Sequence, residues 1–108
     1  MRALILAAIL AIPAAAQADF WTGNNLQERR PSYDANYSNF DSGAYSGYIV
    51  GAADMVSGVL WCPPRPVTVG QTVQIVKAYM DAHPAEWAQP ATVPILAALR
   101  GAFPCRMQ

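Results

Sequence analysis

The chain reads as an all-α protein, a small bundle of three to four helices with one disulfide. Three observations point there. From Tyr45 onward, apolar residues recur at steps of three and four, the period of a helix with one buried face. No segment after Ala18 alternates apolar and polar residues as a strand would. Prolines and polar clusters cut the chain into pieces of helical length.

Residues 1–18 read as a cleavable secretory signal. Arg2 gives a positive start, Ala3 to Ile12 an apolar run, Pro13 a break, and Ala16-Gln17-Ala18 the small residues of a peptidase site. A membrane anchor would need about 20 apolar residues, and the run ends before Asp19. No cysteine follows the cleavage point to carry a lipid. The expected product is therefore a single exported domain, 19–108, working in the periplasm.

Thr22 or Asn24 can cap a first helix running towards Arg29, with Pro31 expected to stop it. Residues 31–44 are rich in Ser, Asn, Asp and Tyr and read as a loop. A second helix follows, with Tyr45, Tyr48, Ile49, Ala52, Val56 and Val59 on one face. Gly47 and Gly51 lie on it four apart, a spacing that suggests another backbone packs closely there. Asp54 sits beside this apolar set, either solvated or a buried acceptor. Cys62-Pro63-Pro64-Arg65-Pro66 cannot be helical and predicts a stiff extended connector. Thr68 and Gln71 have capping-box spacing for a third helix with Val69, Val73, Val76 and Met80 as its stripe. His83 falls at its end, and Pro84 ends it or opens the next element. Pro90 and Pro94 leave a short turn at 85–89 and a last helix over about 91–101, closed by Pro104-Cys105.

Cys62 and Cys105 are the only cysteines. In an oxidising compartment a lone pair forms a disulfide. Free thiols or half of a metal site are the alternatives, and a single histidine argues against the latter. No metal or cofactor is expected.

Chemistry is hard to build from these residues. The only histidine is at a helix end, paired cysteines cannot attack a substrate, and Asp54, Asp81 and Glu86 have no spacing that makes a carboxylate pair. Phosphate-binding loops are absent. After Ala18 there are six basic and seven acidic residues, too few positive charges for nucleic acid. The reading is a non-enzyme. What remains is aromatic surface: Trp21, Tyr33, Tyr37, Phe40 and Tyr45 cluster before and within the second helix.

Five ordered matches sharpen this. They are Gly47-Tyr48-Ile49-Val50-Gly51-Ala52-Ala53-Asp54, Trp61-Cys62-Pro63-Pro64, Val67-Thr68-Val69-Gly70-Gln71, Ala82-His83-Pro84 and Phe103-Pro104-Cys105. With Phe20-Trp21-Thr22-Gly23-Asn24-Asn25-Leu26 in front, the chain resembles the Tai/Rap family of type VI secretion amidase immunity proteins. The resemblance implies a small helical periplasmic protein that binds a peptidoglycan amidase effector and blocks it, without catalytic residues of its own. It marks Gly47, Tyr48, Gly51, Asp54, Cys62, Gln71, Pro84 and Cys105 as fold determinants. Relatives commonly carry a second cysteine pair. Here Tyr45 stands at one position and Arg29-Arg30 lie near the other, which implies a looser N-terminal segment.

Two surfaces are candidate effector contacts: the aromatic stretch of Tyr33, Tyr37 and Phe40, and the proline turn that presents Arg65. A homodimer is compatible with the apolar content. The alternative reading is a periplasmic helical structural or chaperone-like protein without a toxin partner.

Overall fold

Thr22 starts the first helix. Its hydroxyl accepts the Asn25 amide while the Asn25 side chain accepts the Thr22 amide, so two otherwise orphaned donors are satisfied. In the computed structural model, which describes residues 20–106, α1 spans Gly23–Asp34. The predicted leader and its cleavage site lie outside the described residues.

Pro31 does not stop α1, contrary to expectation; the helix passes through it for another turn. An interior proline costs about 3 kcal/mol, and contacts beyond it offset that. Tyr33 packs on Tyr45 with ring centroids 5.3 Å apart, and Asp34 receives the Lys77 ammonium at 2.6 Å. The expected loop over 31–44 contracts accordingly. Asn36 takes the left-handed conformation (φ 59°) that asparagine tolerates, and the next helix starts at Phe40.

α2 is Phe40–Val56, five residues longer at its start than the apolar periodicity marked. Asn39 caps it by accepting the Ser42 amide at 2.9 Å, and Asp41 lies in the first turn, where a negative charge suits the helix dipole. Tyr45, Ile49 and Ala53 form its buried stripe. Val59, expected on that face, is instead outside the helix and 71% exposed. The chain turns at Gly58 (φ 79°) and returns to the core at Trp61, whose indole nitrogen donates to the Ala53 carbonyl at 2.8 Å.

α3, Val69–Ala82, has the predicted capping box, with Thr68 and Gln71 exchanging both bonds. Val73, Val76 and Met80 are buried as expected, but Val69 is 53% exposed. The buried residue of the first turn is Thr72, whose hydroxyl donates to the Thr68 carbonyl. A 3-10 turn over Pro84–Ala88 leads to α4, Thr92–Ala102.

α2 packs against all three other helices. The core lies between them and draws on every helix: Leu26 from α1, Tyr45 and Ile49 from α2, Val73, Val76 and Met80 from α3, Ile95 and Leu99 from α4. Among the described residues there is no strand, and the two isolated bridges are Thr22 with Pro90 and Ser57 with Trp61. The Cys62–Cys105 disulfide joins the start of the connector to the segment after α4. Beside it, the Cys62 amide donates to the Phe103 carbonyl at 2.8 Å.

Candidate functional site

The candidate acid–base side chains Asp54, Asp81, His83 and Glu86 do not converge on one site. Asp54 is exposed at the end of α2, Asp81 pairs with Arg30, and Glu86 accepts the Tyr79 hydroxyl at 2.6 Å. His83 caps α3 with its ring stacked on Tyr79 at 3.9 Å and Nδ1 2.7 Å from the Tyr79 carbonyl. A carbonyl can only accept, so Nδ1 carries the hydrogen. Among the described residues no cluster of His, Cys, Asp or Glu could hold a metal.

Three of the residues marked by the resemblance take structural positions. Tyr48 stacks on Trp21 at 4.7 Å, Gln71 completes the α3 cap, and Pro84 opens the 3-10 turn. Gly47 and Gly51 do not meet another backbone; a Cβ at either would find no atom within 4 Å. The close approach is at Gly23. There a Cβ would lie 2.8 Å from the Trp87 Cα, and the Gly23 amide donates to the Gln89 carbonyl at 2.9 Å. Trp87 holds this corner by donating its indole N–H to the Met80 carbonyl at 2.8 Å.

Tyr45 is fully buried, and its hydroxyl has no hydrogen-bond partner among the described residues. Burial pushes the phenol above its ordinary pKa. The Tyr33–Tyr45 packing and an Arg29–Asp41 ion pair of 3.7 Å join α1 to α2.

Next to that contact lies a charge network. Arg30 forks onto both oxygens of Asp81 and also reaches Asp34, which receives Lys77. The hydrogen bond with Asp81 pushes Arg30 above the usual arginine range. Asp34 and Asp81 are held below the usual carboxylate range, by the Lys77 and Arg30 hydrogen bonds respectively. The network ties α1 to α3.

The two candidate contact surfaces stand apart. Tyr37 and Phe40 are 62% and 76% exposed, just before and at the start of α2. Tyr33 does not join them: it lies on α1, half-buried against Tyr45, because the helix continues past Pro31. Arg65 belongs to the opposite end of α2. It lines an apolar cleft of about 480 Å³ whose walls are Pro64, Pro66, Val67, Ile75 and Phe103. A second cleft, on the α2 side of the connector, holds Asp54, Trp61 and Val69. A third brings Val59 and Leu60 to Arg100, Pro104 and Arg106.

Sequence reasoning missed the turn after α2 as surface. Val59 stands out from it, and Met55, 83% exposed, stands out from the last turn of α2 just before it. Gly58, followed by two aliphatics and a tryptophan, was the signal that the helix had ended and a tip begun.

None of the curated proteins compared with this chain matches it significantly. The model of the Rap1a immunity proteins, however, matches residues 22–105, from the cap of α1 through both cysteines, and so the chain belongs to the Rap1a immunity protein family.

Proposed function

We propose that this protein is exported to the periplasm after loss of residues 1–18. There its 19–108 domain binds a peptidoglycan amidase effector of type VI secretion and blocks the effector's catalytic cleft by steric occlusion. The observation that carries the reading is the family match over the whole described helical unit. The scattered carboxylates and the ring-stacked histidine support a binding role without catalysis. The contact surfaces offered are Tyr37 with Phe40, and Arg65 on its rigid turn; both present the residue types that anchor interfaces.

Residues 19–108 used as bait in periplasmic and secreted extracts test this, with mass-spectrometric identification and a peptidoglycan cleavage assay. The expected outcome is one stoichiometric cell-wall amidase whose cleavage stops when the bait is added. Recovery of many unfolded clients and no amidase would overturn it. Tyr37→Ala/Phe40→Ala and Arg65→Ala then separate the surfaces by which one weakens inhibition.

A further inference from the structure

The basic side chains of the described residues are sorted by end into paired and unpaired. Arg29, Arg30 and Lys77 all pair with carboxylates where α1 meets α2 and α3. Arg65, Arg100 and Arg106 are exposed and have no hydrogen bond or ion pair among the described residues. All three line clefts at the disulfide end, where Asp54 is the sole acidic lining residue.

The same end exposes apolar surface. Met55 is 83% and Val59 71% exposed, and Val59 shares a cleft with Arg100 and Arg106. Arg65 borders the cleft walled by prolines and Phe103. Unpaired guanidinium groups around apolar hollows match a surface of opposite sign, because arginine is weakly hydrated and forks onto carboxylates. A second copy of the chain fits poorly. A two-fold contact through this face would bring like patches together, arginines against arginines.

We propose that the disulfide end is the docking surface, and that it takes a patch of the effector in which apolar side chains are bordered by carboxylates. This rests on the immunity reading. The arginines steer the encounter, and the clefts seat the apolar groups. The Cys62–Cys105 bond holds the proline connector with Arg65 beside the end of α4 and the chain after it, which carry Arg100 and Arg106.

The test titrates the 19–108 domain and an Arg65→Glu/Arg100→Glu/Arg106→Glu variant against a panel of purified peptidoglycan amidase effectors, scoring cell-wall cleavage. Size-exclusion chromatography and circular dichroism accompany it. The wild-type domain should inhibit one member, and the triple variant should inhibit that member about a hundredfold more weakly. Glu28→Lys, an exposed charge change on α1, should inhibit as the wild type does. Should the glutamate variant not fold, the corresponding glutamine triple decides, with a smaller loss of the same sign. Full inhibition by a folded triple variant would overturn the proposal and leave the immunity reading standing. A wild-type domain that inhibits no member would overturn both. Conversion of a wild-type dimer to a monomer by the triple variant would show that this end joins copies of the chain, and would also overturn the proposal.

Discussion

Glycine shows what a single residue contributes here, and the positions differ in sign. Gly23 sits against the Trp87 backbone with no room for a methyl group. Gly23→Ala should therefore destabilise the domain by about 1–3 kcal/mol, the usual range for overpacking. Gly47 and Gly51 lie on the exposed side of α2 with open space around them. Alanine at either should stabilise by about 0.5–1 kcal/mol through helix propensity. Urea unfolding midpoints of the three variants check this, and equal losses at all three positions would refute the assignment of the close approach to Gly23. The pair of glycines in the family motif is thus not explained by packing within this chain.

At the scale of elements, α1 is fastened to the bundle by three kinds of contact. Leu26 is buried in the core, Tyr33 packs on Tyr45, and Arg30, Asp34, Lys77 and Asp81 form ion pairs. The ion pairs give the attachment a pH dependence. Asp34 and Asp81 both have folded pKa values below the ordinary 3.8. Their contribution is complete above that value and fades as pH falls through the lowered folded values. Both carboxylates are substantially exposed, so solvent screens the effect. Wild-type stability should fall between neutral pH and about pH 2.5, and an Asp34→Asn/Asp81→Asn variant should fall less over the same interval. Parallel urea curves at the two pH values measure the difference; identical losses would assign the acid sensitivity to other groups. The same network explains why Pro31 fails to end the helix. A proline is a local signal of about 3 kcal/mol, and contacts from α2 and α3 outweigh it.

For the whole molecule, the disulfide is the covalent constraint that joins distant parts of the chain. Cys62 and Cys105 are 43 residues apart, so the bond removes about 4 kcal/mol of unfolded-chain entropy on the simple loop model. Reduction, or Cys62→Ser, should cost about 2–5 kcal/mol and lower the melting temperature by about 10 °C or more. An unchanged melting temperature under reductant would show the bond to be idle. On the proposed docking surface, the same treatment should also weaken inhibition more than heat stability alone accounts for at a temperature where the reduced domain remains folded.

Much of this architecture was legible beforehand because its signals are short. Thr68 with Gln71, the α3 stripe of Val73, Val76 and Met80, and the prolines around Arg65 act within four residues of themselves. A lone cysteine pair has a single intramolecular pairing available, and the ordered motifs carried the family. Other features depend on neighbours from distant sequence. Tertiary contacts carried α1 past Pro31, turned Tyr33 into packing while leaving Tyr37 and Phe40 outside, and moved the tight glycine to Gly23. They also paired Arg29 and Arg30 while leaving Arg65, Arg100 and Arg106 to line the clefts at the disulfide end. The sequence by itself determined the all-α class, the bond and the family, since caps, periods and motifs are local. Only the tertiary structure decided which rings and charges remain available to a partner, because exposure belongs to the packed whole.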